Sequence, residues 1–299
     1  MFFRKLMNQV SRNKKIHFLV QRIVNPFSPY FVCQHFLGNE FRKFGISHML
    51  PRHIHDLLET GDTDRIQEYD ILYVEVRFFE KFCTEYLPKL SKKIVLLTGG
   101  CQFPQIVRNP NTDVVLEHPN IALWISQNPI YSSHPKYMAF PYGIHHTHLK
   151  SYVNALLHSN LADKPILLSH LPFNPTTHPC RRLLPVLPPL SKDTFYEAIS
   201  KSKFVLSPIG DRDDCYRHYE CIGLGSIPIS NAGSNYVELF EESMYICTIE
   251  TMVDILETGR VEHTYRVPNR DILCLDYHKD RIRRKIESLR KNTHTLVHS

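Results

Sequence analysis

The segment that decides the predicted fold is KFVLSPIGDRDDCYRHYECIGLGSIPIS, residues 203–230. An apolar run at 204–206 leads into a proline-glycine loop, apolar side chains then recur at helical spacing over 215–224, and a second apolar run follows at 227–229. This order predicts a strand, a tight loop, a helix that ends at glycine, and a second strand. The segment is therefore predicted to form half of a nucleotide-binding βαβ unit.

Several polar residues of this segment lie where a βαβ unit binds a phosphorylated ligand. Gly210 allows the backbone to approach a ligand closely, and the amides that open the following helix attract an anion. Arg217, in the first turn, is expected to bind the same anion with its guanidinium fork, and Glu220 is placed to accept hydrogen bonds from a ribose diol. The two residues together predict recognition of a nucleotide-sugar. The alternative is a surface pair of Arg217 and Glu220 on an ordinary βαβ unit.

The same segment resembles a known family. The order FVLSP, glycine, R-x-x-E and then G-S-I-P at 225–228 resembles the donor-binding signature of exostosin-like glycosyltransferases of the GT-B class. It is also similar to the short glycosyltransferases of large DNA viruses of algae, of the chlorovirus type. The close match covers 203–230 and a looser one 165–249, and Cys221 departs from the small residue that the family usually has there. The resemblance implies an α/β fold of the GT-B class, with two Rossmann-like domains that face a central cleft.

Donor binding is expected to involve the loops around the helix as well as the helix itself. Basic residues in the proline-rich loop after a strand at 165–169 can close over the donor phosphates, and the alternative is a solvated arginine pair. The loop after the second strand surrounds the transferred sugar in similar enzymes. The predicted donor-binding residues are Ser207, Pro208, Gly210, Arg217, Glu220, Gly225, Ser226, Arg181, Arg182 and Asn235.

Alternating apolar runs in the first half of the chain predict a parallel sheet. The predicted strands are 15–21, 70–76, 93–97 and 121–125, and the predicted helices are 30–43, 53–60 and 77–90. A proline-glycine passage near Ile144 resembles the point where GT-B chains cross to their second domain. We therefore expect an acceptor-binding Rossmann-like domain at 1–144, a nucleotide-sugar-binding Rossmann-like domain at 145–275, and a basic helix at 276–299 that packs back on the first domain.

An acceptor site is expected at the carboxyl ends of the strands in the first domain, because open α/β sheets bind ligands there. Glycines after the strand at 93–97 leave room for a ligand, so Thr98, Gly99 and Gly100 are predicted to border the acceptor cleft. Glu75 lies near the end of its strand and is the predicted general base. The alternative for Glu75 is a structural ion pair with Arg77.

The composition limits the class of protein. The chain has 299 residues, 42% of them hydrophobic and 22% charged, and a formal net charge of +6, which fits a globular protein with an anionic partner better than a nucleic-acid binder. No apolar run is long enough for a signal peptide or a membrane span, so the predicted location is cytoplasmic, or the host cytoplasm for a viral protein. The basic C-terminal helix leaves peripheral membrane contact open. The eight scattered cysteines favour free thiols.

These observations predict a glycosyltransferase that moves a sugar from a nucleotide-sugar to a hydroxyl of a glycan or glycoprotein acceptor, and the family resemblance implies that it is an inverting enzyme. Family resemblance favours a UDP-linked donor, with UDP-xylose first, and a leaving diphosphate stabilised by Arg217 and helix amides. We expect no metal and no cofactor other than the nucleotide-sugar co-substrate. The alternatives are a catalytically silent sugar-nucleotide-binding module, another nucleotide-dependent transferase or epimerase on the same fold, and a basic nucleic-acid-binding protein.

Overall fold

The computed structural model describes residues 1–13, 15–100 and 105–297, with side chains up to residue 291. The described chain forms ten strands, which are β1 (His35–Leu37), β2 (His55–Asp56), β3 (Ile71–Glu75), β4 (Ile94–Gly99), β5 (Ile121–Ser126), β6 (Tyr137–Ala139), β7 (Ile166–Ser169), β8 (Ser202–Leu206), β9 (Ile227–Ser230) and β10 (Tyr245–Ile246). It also forms twelve α-helices, which are α1 (Phe2–Arg12), α2 (Ile16–Val20), α3 (Glu40–Lys43), α4 (Leu57–Thr60), α5 (Phe79–Lys81), α6 (Pro110–Glu117), α7 (Leu149–His158), α8 (Lys192–Lys201), α9 (Tyr216–Gly223), α10 (Val237–Phe240), α11 (Ile249–Thr258) and α12 (Leu275–Val297).

The chain divides into two compact units. Unit 1 contains Met1–Asn25 and Pro141–Leu275, and unit 2 contains Pro26–Phe140 and Asp276–Ser299. The roles assigned to the domains at 1–144, 145–275 and 276–299 stay predictions, and residues 298 and 299 lie outside the described residues.

The first 25 residues are grouped with unit 1, whereas the predicted acceptor-binding domain at 1–144 includes them. The Val24 amide donates to the Leu273 carbonyl at 3.0 Å, and the Leu275 amide donates to the Arg22 carbonyl at 3.0 Å. These bonds join segments far apart in the chain, so no local pattern could predict them.

The sheet of unit 2 has six parallel strands in the order β2-β1-β3-β4-β5-β6. Every residue of β3 and β4 is buried, as in parallel sheets that are covered on both faces. Trp124 of β5 is fully buried and stacks on Phe79 with a ring-centroid distance of 5.4 Å, so it belongs to the core. The predicted α/β class is confirmed to this extent: the strands within each sheet are parallel, and strands and helices alternate along the chain.

The sheet of unit 1 has four parallel strands in the order β10-β9-β8-β7. The segment 203–230 forms β8, α9 and β9 with the loop between them, so the predicted strand, loop, helix and strand are confirmed. The interior strands β8 and β9 are almost wholly buried, whereas β7 forms an edge with Ile166 and Leu167 exposed.

Of three local predictions in the first sixty residues, one was wrong and two were correct only in part. The predicted strand at 15–21 is helix α2, whose Leu19 and Val20 are buried. The predicted helix at 30–43 contains β1, which pairs with β2 and β3 on its two sides, and its last four residues form α3. The predicted helix at 53–60 begins as β2 and continues as α4. Short apolar runs fit a helix or a strand equally well, and partners distant in the chain decide between the two.

Two residues predicted to bind the donor lie instead at the amino end of β9. Gly225 has a φ of +75°, and the Ser226 hydroxyl is fully buried and donates to the Ile199 carbonyl at 2.6 Å. Ser207 and Gly210 follow the carboxyl end of β8. In a parallel sheet, this end lies opposite the amino end of β9, where Gly225 and Ser226 are. We therefore leave Gly225 and Ser226 out of the proposed donor site.

A buried lysine cross-links the segments that meet at the amino ends of β8 and β9. The Lys164 ammonium donates to the Ser200, Ser202 and Leu224 carbonyls at 2.8, 3.0 and 2.9 Å and to the Ser226 hydroxyl at 3.1 Å. A side chain on Gly225 would place its Cβ 3.2 Å from the Lys164 Cε, which explains why glycine fits there. One charged group thus satisfies acceptors from α8, β8 and the end of α9.

Two further expectations concern cysteines and membranes. The seven cysteines of the described chain are free, and the eighth, Cys101, lies outside the described residues. Among the helices described here, none combines the length and the apolar character that a bilayer crossing requires.

Replacing Lys164 with methionine is expected to destabilise the protein strongly. The buried Ser200 and Leu224 carbonyls would lose this donor, at a cost of about 1–3 kcal/mol for each unsatisfied group, whereas the Ser202 carbonyl would keep the hydrogen bond from the Ser226 hydroxyl. Urea unfolding should therefore show a free energy of unfolding at least about 2 kcal/mol lower for Lys164→Met. The exposed Lys150 is the matched control, and equal losses for Lys150→Met and Lys164→Met would contradict this role.

Candidate functional site

The candidate site of unit 1 is built on two loops that follow β8 and β9. The Ile209 amide donates to the Asn231 side-chain oxygen at 3.0 Å, and the Gly233 amide donates to the Asp213 carboxylate at 3.1 Å. Both loops lie at the carboxyl ends of parallel strands, where α/β sheets bind ligands. The Ser207 hydroxyl is buried at this end and has no hydrogen-bond partner within the described chain.

Arg181 fixes the loop after β8. Its guanidinium donates to the Ile209 carbonyl at 2.7 Å, to the Pro208 carbonyl at 2.9 Å and to the Asn174 carbonyl at 3.2 Å. A Cβ on Gly210 would lie 2.9 Å from an Arg181 nitrogen, so glycine allows this close approach. Carbonyl oxygens carry no formal charge, and the positive charge of Arg181 therefore remains at the loop.

Arg217 connects the first turn of α9 to the loop that follows β7. Its guanidinium donates to the Leu171 carbonyl at 3.3 Å and to the Pro172 carbonyl, and it lies over the Phe195 ring at 5.3 Å. Burial lowers the pKa of Arg217, because a charged group loses hydration there. The structure thus brings Arg181 and Arg217 to the same group of loops, each bonded to uncharged oxygens.

Glu220 lies one turn further along α9 and is almost completely buried. Its Oε1 accepts a hydrogen bond from the Tyr196 hydroxyl at 3.0 Å and lies 3.7 Å from the His148 Nδ1. Burial and the nearby carboxylate raise the pKa of Tyr196, so the hydroxyl stays a donor. A ribose diol needs a hydrogen-bond acceptor, and the second carboxylate oxygen of Glu220 is such a group.

An aromatic cluster, which no local sequence motif marks, lies beside α9. Tyr216 stacks on Tyr142 with a centroid distance of 5.3 Å, His145 meets Tyr216 edge-on at 5.0 Å, and the Arg212 guanidinium lies 4.5 Å from the Tyr142 ring centroid. The pKa of His145 is lowered to about 4, mainly by burial and to a smaller extent by the nearby His146 and His148. Its imidazole is therefore neutral at pH 7. Flat neutral rings beside the site can stack on a nucleobase.

The acidic run 211–214 braces the fold around this site. The Asp214 carboxylate is buried and accepts hydrogen bonds from the Tyr142 amide at 2.9 Å and the Tyr219 hydroxyl at 2.6 Å. The Asp213 carboxylate accepts a hydrogen bond from the Gly233 amide. In the part of the chain that is described, no three His, Cys, Asp or Glu side chains form a group that could hold a metal ion.

Two of the predicted donor residues are exposed or peripheral in this arrangement. Arg182 is exposed to solvent, unlike the neighbouring Arg181, and Asn235 is half-buried in the loop after β9. The structure therefore brings together Ser207, Pro208, Gly210, Arg181, Arg217 and Glu220, and leaves Arg182 at the surface.

The predicted base lies at the carboxyl end of β3 in unit 2. Glu75 is fully buried, and its Oε1 accepts hydrogen bonds from the Tyr30 hydroxyl and, at 2.7 Å, from the Glu40 amide. Its Oε2 has no hydrogen-bond partner within the described chain, and burial raises the pKa of the carboxyl. The hydrogen bonds from Tyr30 and Glu40 replace the ion pair with Arg77 considered from the sequence.

The residues predicted to border the acceptor cleft lie at the end of β4. The Thr98 hydroxyl is buried, donating to the Ser126 hydroxyl at 3.1 Å and accepting from the Trp124 indole at 2.9 Å. A Cβ on Gly100 would lie 3.0 Å from a Glu40 oxygen, so this glycine makes room for a buried carboxylate. Gly99 is paired within the sheet. Their role toward an acceptor stays a prediction.

Comparison with known families concerns the residues just described in unit 1. A family model described as the RXYLT1 C-terminal domain matches residues 178–238, the part of the chain that carries Arg181, Arg217 and Glu220. No curated protein matches the chain. The match supports a relationship to xylosyltransferase and exostosin-like families and points to a glycosyltransferase in general.

Removing the Arg181 guanidinium is expected to loosen the loop after β8. Arg181→Met loses three hydrogen bonds to carbonyl groups, so we expect a loss of about 1–3 kcal/mol in the free energy of unfolding and faster hydrogen exchange at Ile209 and Gly210. Hydrogen–deuterium exchange with mass spectrometry measures the second effect. Arg182→Met is the matched control, and the two variants should differ; equal exchange in both would show that Arg181 does not hold the loop.

Proposed function

We propose that this chain is an inverting glycosyltransferase that transfers a sugar from a nucleotide-sugar to a hydroxyl of a glycan or glycoprotein acceptor. The donor is UDP-linked in this proposal, and UDP-xylose is the first candidate because the matched family model supports a xylosyltransferase relationship. We assign the chain to the GT-B class, in which one Rossmann-like unit binds the donor and the other the acceptor. Similarity to viral enzymes and a cytoplasmic location stay predictions.

The observation that carries the proposal is the pair of guanidinium groups beside the start of α9. Arg181 and Arg217 donate to backbone carbonyls, so their hydrogen bonds position them without cancelling their charge. The amides that open α9 add a positive partial charge at the same end. A diphosphate carries the charge and the acceptor oxygens that this arrangement would stabilise.

The other parts of a nucleotide-sugar also find matching groups in unit 1. Glu220 would accept hydrogen bonds from the ribose hydroxyls, and the Tyr216 and His145 rings would stack on the base. Asn235, in the loop after β9, would contact the transferred sugar. This distribution supports a nucleotide-sugar over inorganic phosphate, because each part of the donor has its own group.

The proposed reaction is a displacement at the anomeric carbon. A base takes the proton of the acceptor hydroxyl, the acceptor oxygen bonds to the anomeric carbon, and the bond from that carbon to the diphosphate breaks with inversion. The departing diphosphate keeps the electron pair, and Arg217, Arg181 and the α9 amides would stabilise its charge. These groups take the role that a metal ion has in other transferases, so the proposal requires no metal.

Glu75 is the proposed base, with one structural requirement. Its Oε2 has no partner within the described chain and could receive a proton, but the side chain is fully buried. An acceptor could therefore reach it only after the segment around Tyr30 or α3 moved. The same burial favours the second candidate function, a catalytically silent module that binds a nucleotide-sugar.

Arg217 is expected to be required for binding of UDP. Losing charge-assisted hydrogen bonds worth about 1.5–3 kcal/mol would weaken binding by about 10- to 100-fold in Arg217→Met. Isothermal titration calorimetry measures the affinity for UDP, and thermal unfolding of the free protein verifies that the variant is folded. Arg182→Met should bind UDP as the unchanged chain does. A folded Arg217→Met protein with undiminished affinity would remove the donor site proposed here.

Glu75→Gln separates the enzyme from the silent module. The amide keeps the oxygen that accepts from Tyr30 and Glu40 but cannot take a proton, so binding of UDP-xylose should persist while UDP release with a panel of glycan acceptors falls at least about 100-fold. In the unchanged chain, the raised pKa of Glu75 should make the rate fall on acidification at a higher pH than an ordinary glutamate would give. Unchanged turnover in Glu75→Gln would show that another group is the base.

A further inference from the structure

An exposed proline-rich segment leaves the site immediately after Arg181. Residues 182–190 read RLLPVLPPL, and residues 185–190 belong to no helix or strand of the described chain. Leu183 and Val186 are 59% and 63% exposed, and the three prolines are exposed as well. Apolar side chains this exposed in succession are unusual on the surface of a protein that has no partner for them.

Two leucines three residues apart are the most buried residues of this segment. Leu184 is buried in the core of unit 1 and Leu187 is half-buried, whereas the residues on either side of each are exposed. Leu190, three residues further on, is 42% exposed. The backbone is extended at Leu184, with φ −106° and ψ 146°, and at Ser191, with φ −62° and ψ 155°. A polyproline II helix has three residues per turn and no internal hydrogen bonds, which fits this pattern.

Three residues per turn divide the segment into three edges. One edge contains Leu184, which is attached to the protein core, the half-buried Leu187, and Leu190, which is 42% exposed. A second edge presents Pro185 and Pro188, and the third presents Val186 and Pro189; all four of these residues are exposed. The core therefore holds the segment so that two neighbouring apolar edges face solvent together.

We propose that residues 185–190, together with Arg182 of the preceding 3-10 helix, form a docking ridge for a protein domain of the SH3 type. Such domains bind a polyproline II helix in a groove with slots between parallel aromatic rings. The dipeptides Pro185–Val186 and Pro188–Pro189 are one turn apart, about 9 Å at 3.1 Å per residue, and would fill two adjacent slots. Because the backbone is extended at Leu184 and Ser191, which flank residues 185–190, and Leu184 is anchored in the core, binding loses little conformational entropy.

Arg182 supplies the charged part of the recognition. It is exposed and lies in the 3-10 helix Pro179–Leu183, which ends just before the prolines. Arg182 precedes Pro185 by three residues and Pro185 precedes Pro188 by three, so the sequence has the order R-x-x-P-x-x-P. An acidic side chain next to the aromatic slots would bind the Arg182 guanidinium and set the direction of the chain in the groove. A lipid bilayer has no such slots and would not distinguish the prolines from other apolar residues.

The test measures binding of the full chain to a panel of purified SH3 domains by biolayer interferometry. We expect saturable binding to at least one domain, a loss of affinity of at least about tenfold in the double variant Pro185→Ser/Pro188→Ser, and a smaller loss in Arg182→Met. Val267→Ser, which removes a 68% exposed valine elsewhere in unit 1, should bind as the unchanged chain does. Thermal unfolding of each variant verifies that the fold is retained.

Several results would overturn the proposal. Absence of binding across the panel would do so, as would binding that is equally strong in the double proline variant. Self-association that the proline variant abolishes, measured by light scattering, would assign the ridge to a second copy of this chain instead. Proline-dependent binding to phosphatidylcholine–phosphatidylserine vesicles would assign it to a membrane surface.

Discussion

The candidate site depends on guanidinium groups that are bonded to backbone carbonyls. An arginine paired with a carboxylate loses most of its attraction for a further anion, whereas an arginine bonded to carbonyl oxygens keeps its charge and is still held in place. Arg181 and Arg217 are both bonded in this second way, to the loops after β7 and β8. Asp213 and Asp214, which could have paired with them, accept instead from the Gly233 and Tyr142 amides and the Tyr219 hydroxyl.

The direction of the strands explains which residues can share this site. In a parallel sheet all carboxyl ends lie at one edge, so the loops after β7, β8 and β9 meet there. The opposite edge of the same sheet is closed by the Lys164 ammonium, which binds three carbonyls and the Ser226 hydroxyl. Motif residues only six positions apart in sequence, such as Glu220 and Ser226, therefore belong to different parts of the structure.

The sequence predicted β8, α9 and β9 correctly because their signals are local: an apolar run, helical spacing, and glycines at the helix end. It failed at 15–21 and over part of 30–43, where a short apolar run fits either a helix or a strand and distant strands decide. It could not distinguish Arg181 from Arg182, because their different exposure follows from the path of the loop. The Tyr142–Tyr216 stack joins residues far apart in the chain, and no motif marks it.

The central claim is that the start of α9 and its two guanidinium groups bind the diphosphate of a nucleotide-sugar. A crystal structure of the chain with UDP tests this most directly. The account predicts diphosphate oxygens about 2.7–2.9 Å from Arg217 nitrogens, with the ribose at Glu220. UDP bound elsewhere in the chain, or a diphosphate that touches neither Arg217 nor the α9 amides, would contradict it.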